Sequence, residues 1–141
     1  VNLKDPFSQL GDINTLPGNS DPANMVVLGN AAIFSAYHPD YGIELWRTDG
    51  TSAGTFLLSD VRTGGQSSTI TGVTVANNLV YFSAATPQVG TELWVTDGTT
   101  AGTHLVRDLY VNSTVIGSGT SAGMSANPNN LVNVCGTLFF K

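Results

Sequence analysis

The apolar residues of this chain come in short β-rich runs separated by turn residues. "MVVLGNAAIFSA" (25–36), "VTVANNLVYFSA" (73–84) and "LVNVCGTLFFK" (131–141) each hold two such runs around a short turn. Gly29-Asn30, Asn77-Asn78 and Cys135-Gly136 lie at or next to these turns. Asn and Gly tolerate the positive φ that a two-residue hairpin needs. A third strand is predicted at "IELWRT" and "TELWVT", and a fourth at "TFLLSDV" and "THLVRDL". No convincing stretch places apolar residues at helical spacing. The strands do not alternate cleanly, because Leu45-Trp46, Leu57-Leu58, Leu93-Trp94 and the run 79–82 set bulky apolar residues side by side. Neighbours on a strand point to opposite faces. Both faces of each sheet are therefore expected to be covered, as in four-stranded sheets stacked around an axis.

The pattern repeats. Phe34 and Phe82, Glu44 and Glu92, and Asp60 and Asp108 are each 48 residues apart. Phe82 and Phe140 are 58 apart, and Asp5 and Asp60 are 55 apart. The unit has a fixed core and one connecting loop of variable length. Between the third and fourth strands sits "DGTSAGT" or "DGTTAGT". Asp49 and Asp97 are placed to accept backbone N–H groups just ahead, an Asx-turn. Gly50 and Gly98 supply φ values that a side chain disfavours. Gly54 and Gly102 are expected to reopen the chain into the next strand. Thr51, Thr55, Thr99 and Thr103 offer hydroxyls to the loop. A rigid structural hairpin is the leading reading and a repeated calcium or ligand loop the lesser one. Each loop holds a single acid, whereas calcium takes 6–8 oxygens.

Composition narrows the partners. The chain is 41% hydrophobic but only 11% charged, so Thr, Ser, Asn and Gly supply the polarity. That mix suits strands and turns. Net charge is -5 and the five basic residues are scattered, which argues against nucleic acid as a partner. No apolar run approaches the roughly 20 residues of a membrane helix, so no membrane insertion is expected. Val1 is not a natural start, which is compatible with removal of a leader. Cys135 is alone and reads as a small apolar strand residue, with an intermolecular bridge or reactive thiol as the alternative. The sequon Asn112-Ser113-Thr114 matters only in a eukaryotic secreted protein.

"ELWRTDGTSAGTFLLSD" and "ELWVTDGTTAGTHLVRD" resemble the ELWxxDGT repeat of large bacterial secreted and surface proteins. Every fixed position of E-L-W-x-x-D-G-T-x-x-G-T is matched in both copies. The resemblance implies an all-β, β-propeller-like fold with one four-stranded antiparallel blade per repeat, and an extracellular or cell-surface location. The turn also resembles the structural Asp-box hairpins of other propellers. The resemblance is firm over 25–109 and transfers no catalytic residue. It divides the chain into the end of a preceding blade plus a loop (1–24), blades at 25–61 and 73–109, and the start of a following blade (131–141). Phe34, Leu45, Trp46, Phe82, Leu93, Trp94 and Phe140 are expected to pack between blades.

Eleven strands follow: a last strand at 1–6, two full blades, and a first and second strand at 131–141. Propellers close with about four to eight blades. The chain is therefore expected to be a piece of a longer protein, or to be completed by strands from other copies of itself.

Nothing in the sequence favours an enzyme. Glu44, Glu92, Asp49, Asp97, Asp60 and Asp108 recur, whereas a glycosidase carboxylate pair occurs once. Asp60 and Asp108 are read as caps of the turns that follow. His104 stands where the other copy has Phe56, and so reads as a packing residue. Tyr37, His38, Asp40 and Tyr41 form a possible ligand loop. The expected role is a non-enzymatic extracellular structural or adhesive scaffold, of a surface protein or a filament assembly, working with further repeats or other copies. The alternative is a lectin-like propeller that binds carbohydrate between blades, although its loop aromatics do not recur. Function is expected in the variable segments 7–21, 37–43, 85–91 and 110–130.

Overall fold

A computed structural model describes residues 13, 14, 16–109 and 125–141. The strand expected at 1–6, the sequon, residues 7–12 and 15 of the first long linker and 110–124 of the second lie outside the described residues. The ordered elements are all β: β1 (Ala23–Leu28), β2 (Ala31–His38), β3 (Gly42–Thr48), β4 (Phe56–Ser59), β5 (Thr71–Ala76), β6 (Leu79–Thr86), β7 (Gly90–Thr96), β8 (His104–Arg107), β9 (Val132–Val134) and β10 (Thr137–Phe139). They form antiparallel sheets in simple meander order, β1–β4, β5–β8 and the two-stranded β9–β10.

The hairpin turns follow from their residues. Asn77 and Asn78 have φ of 49° and 59°, and Cys135 and Gly136 have φ of 49° and 87°. Positive φ at both central positions is the type I′ pattern, whose twist matches the strands it joins. Cys135 is thus an exposed turn residue, not the strand residue expected from its apolar character. The two large sheets also share their irregularities. The first pair slips between Ala23 and Val26, and again between Thr71 and Thr74. The third and fourth strands slip between Leu45 and Trp46, and again between Leu93 and Trp94.

The adjacent apolar residues do cover both faces. Phe34 lies opposite Trp46 on one face of the first sheet. Together with Ala36 they form a cluster, against which Ile13 and Leu57 pack. Ser35 lies opposite Leu45 on the other face. There Ile33, Leu45 and Leu58 join Val80, Phe82 and Ala84 of the second sheet in one core, with Trp94 packed against it. Phe82 lies opposite Trp94, with ring centroids 6.4 Å apart. One face of the first sheet therefore meets the opposite face of the second.

Leu93, on the far face of the second sheet, is also buried, and the side chain of Leu131 reaches Gly72 beside that sheet. Thr74 Oγ1 donates to Leu131 O at 3.1 Å, and Asn133 Nδ2 donates to Val75 O at 2.8 Å, so β9 docks along β5. Phe140 differs from its expected packing role. It lies just past β10 and is 41% exposed, because the two-stranded β9–β10 sheet lacks a covering layer among the described residues.

Leu45→Ala empties a fully buried position between two sheets and is expected to cost about 2–5 kcal/mol. Val27→Ala, at a position 70% exposed, should change stability by no more than about 0.5 kcal/mol. Urea unfolding followed by tryptophan fluorescence measures both, and equal costs would refute the shared core.

Candidate functional site

The DGT turns form the first candidate. Asp49 Oδ1 accepts the Thr51 N–H at 3.0 Å and the Thr51 hydroxyl at 2.7 Å. Thr51 Oγ1 in turn accepts Gly54 N–H at 2.9 Å. Thr55 Oγ1 donates to Thr51 O at 2.7 Å. A hydroxyl has one hydrogen, so the 2.7 Å contact between Thr48 and Thr55 must be donated by Thr48. Thr48 Oγ1 then accepts Gly50 N–H at 3.1 Å. The second copy repeats this directed chain through Thr96, Asp97, Thr99 and Thr103. The Thr51 and Thr99 donors stabilise the ionised acids and hold the Asp49 and Asp97 carboxyls below their ordinary range.

The glycines of the turn have two different reasons. Gly50 and Gly98 sit at φ of 88° and 87°. Gly54 and Gly102, expected to reopen the chain, are not in the left-handed region. A Cβ on either would overlap the carboxylate of Asp49 or Asp97. Gly98 has a further constraint, because a Cβ there would stand 3.2 Å from Leu28 Cδ2 of the preceding sheet. The second DGT turn is thus also a contact between sheets.

Glu44 and Glu92 form the second candidate, and both are fully buried. Glu44 Oε2 accepts Val61 N–H at 3.0 Å and the Ser68 hydroxyl at 2.6 Å. Glu92 Oε2 accepts Leu109 N–H at 3.1 Å, and its Oε1 accepts Ala126 N–H at 2.9 Å. Each acid ties the chain leaving the fourth strand to the segment that enters the next sheet. Ser68 completes the joint. Its N–H donates to Ile43 O at 3.1 Å and its C=O accepts Ala85 N–H at 2.6 Å, bridging β3 and β6. Burial pushes the Glu44 carboxyl up to about 7, against the opposing pull of its Ser68 and Val61 donors.

The variable loop is smaller than expected. Tyr37 and His38 belong to the end of β2, and Asp40 and Tyr41 to the turn after it. Residues 37 and 38 point to opposite faces, so the four side chains do not form one set. His38 stacks with Tyr41 at 4.8 Å and lies 5.9 Å from the Trp46 ring. His38 Nδ1 accepts Asp40 N–H at 3.1 Å, so that nitrogen carries no hydrogen. Its 3.9 Å approach to Asp40 Oδ2 is therefore not an ion pair in this arrangement. His104, read as a packing residue, lies exposed on β8.

Three features went unread in the sequence. Gly42 and Gly90 open the third strand in the two copies, at φ of 71° and 72°. A Cβ at Gly42 would strike the backbone of Gln66 and Ser67, so the glycine admits the joint segment. The entry to each sheet also holds two positive-φ residues: Asp21 and Asn24, Thr69 and Gly72, Asn127 and Asn130. Only the glycines and asparagines among them could have signalled it. Finally, Asp49 and Asp97 recur visibly, but the partner that makes Gly54 and Gly102 necessary is a side chain five residues back.

Among the described residues, no group of three or more His, Cys, Asp and Glu side chains is gathered to hold a metal ion. Comparison with protein-family models, with curated proteins and with solved structures finds no match to this chain.

Gly54→Ala should destabilise strongly alone and less in an Asp49→Ala background, with a coupling above about 0.5 kcal/mol in a double-mutant cycle. Simple additivity would remove the carboxylate as the reason for the glycine. Glu44 binds its proton more tightly folded than unfolded, so its contribution is full below pH 4.5, its ordinary value, and is lost as pH rises through about 7. Glu44→Gln should flatten the thermal stability profile across that window. Parallel profiles for the two proteins would show that the carboxyl is not the titrating group.

Proposed function

We propose that the chain is a non-enzymatic repeat scaffold of the ELWxxDGT type, extracellular or at the cell surface. Its four-stranded sheets act as propeller blades that work alongside further blades or other copies of the chain. One observation carries the reading: the recurring polar residues are spent on the protein's own backbone. Glu44 and Glu92 hold joints between sheets, and Asp49 and Asp97 hold turns. A carboxylate committed to fixed donors in every unit serves the frame.

The mode of stacking supports the same reading. A contact between unlike faces is heterologous, so it extends until it closes into a ring or continues as a filament. The β9–β10 sheet has an open β10 edge among the described residues, and Val132, Val134 and Phe139 are more than half exposed. Such an edge accepts a further strand. A second reading, a carbohydrate-binding scaffold, is favoured by an open crevice of about 300 Å³ between the first two sheets.

Sedimentation velocity across a range of concentrations tests the scaffold reading. Self-association is expected, and Phe139→Lys should weaken it by charging the β10 edge while leaving the circular dichroism unchanged. A strict monomer at every concentration, or association indifferent to the lysine, would overturn assembly through that edge.

A further inference from the structure

The crevice between the first two sheets has a turn wall and a strand wall. The turn wall is Asp97-Gly98-Thr99-Thr100, whose first three residues recur as Asp49-Gly50-Thr51, and the strand wall includes Leu28, Asn30, Arg47 and Phe56. Gly98 packs against Leu28, which fixes the distance between the walls. At the positions of Arg47 and Phe56 the second copy carries Val95 and His104. The frame therefore recurs while the chemistry of its lining changes.

Arg47 is the cation of this crevice. Its guanidinium carbon lies over the Phe56 ring, 5.4 Å from the centre, in a cation–π contact. No carboxylate among the described residues stands within ion-pair distance of it. A planar guanidinium held on an aromatic face presents its N–H edge for a bidentate carboxylate. Opposite it stands the turn wall, where Asp97 Oδ1 accepts both the N–H and the hydroxyl of Thr99. Asn30 and Thr100 add neutral donors and acceptors, and Leu28 adds an apolar surface. A volume of about 300 Å³ is at the lower end of small-molecule sites, matched to one sugar ring.

We propose that this crevice binds a carboxylated sugar, with the carboxylate on Arg47 and ring hydroxyls on Asp97, Asn30 and Thr100. The assignment rests on the carbohydrate-binding reading and is independent of the scaffold reading. Binding at one such site is expected to be weak and to gain from multivalency.

The test is a ¹H–¹⁵N titration of the full 141-residue chain with sodium glucuronate, and with glucose in parallel. Arg47→Val introduces the residue that the second copy already carries, so the fold has a precedent for it. Saturable shifts at the amides of Gly98, Thr99 and Thr100 are expected with glucuronate in the millimolar range. They should weaken roughly tenfold or more in Arg47→Val, since a hydrogen bond to a charged group is lost. An unchanged dispersion of the remaining amides shows that the variant is folded. No saturable shift with glucuronate, or equal shifts in Arg47→Val, overturns the site. Equal affinity for glucose overturns the carboxylate assignment. None of these outcomes alters the self-association that tests the scaffold, so the two failures are separable.

Discussion

Leu45 and Trp46 are neighbours on one strand, point to opposite faces of one sheet, and are both buried. A sheet apolar on both sides cannot end in water on either without losing about 25 cal/mol for each Å² left uncovered. Each sheet must therefore find a neighbour on both sides. The other features of the fold serve that requirement. The DGT turn fixes the spacing of the third and fourth strands, and in the second sheet it also rests on Leu28 of the first. The entry segments run along the seam and bond to both sheets at once.

A buried carboxylate is an unusual means of fixing such a seam. An acid removed from water is costly unless its oxygens are matched by donors. Glu92 meets the condition with one backbone N–H on each oxygen. Glu44 meets it on one oxygen only, where a serine hydroxyl and a backbone N–H converge, and Oε1 has no partner. The two copies differ here in side chain, Ser68 in one and Ala126 in the other, and in backbone bonding, since Ser68 N–H donates to Ile43 O and Ala126 N–H to Glu92 Oε1. The Ser68 hydroxyl joins Val61 N–H on the same oxygen, and burial raises the carboxyl against the pull of these two donors.

The strands were legible because turn chemistry marked their ends. Asn77-Asn78 and Cys135-Gly136 lie where the hairpins turn, and both large sheets have the four strands read from the repeat. The coverage of both faces was legible in Leu45-Trp46 and Leu93-Trp94. What could not be read was anything that depends on distance through space. Gly54 reads as a flexible residue, and only its neighbour Asp49 makes it obligatory. Tyr37 and His38 read as loop because polar and aromatic residues follow one another there, whereas pairing with β3 draws both into the strand as far as His38↔Gly42. The crevice has no signature of its own, since its walls come from positions some fifty residues apart.

The joint at Glu44 also separates what is fixed in length from what is free. Five residues lie between Val61 and Ser67, while fifteen lie between Leu109 and Ser125. Ile43 N–H donates to Ser67 Oγ at 3.0 Å and Thr91 N–H donates to Ser125 Oγ at 2.9 Å, so the longer connection re-enters at the same place. The entropy of closing a loop grows only slowly with its length, about 0.6 kcal/mol for each doubling. Foreign sequence spliced between Val61 and Ser67 would thus leave the seam intact, which makes this point a port for displaying cargo on a repeating frame.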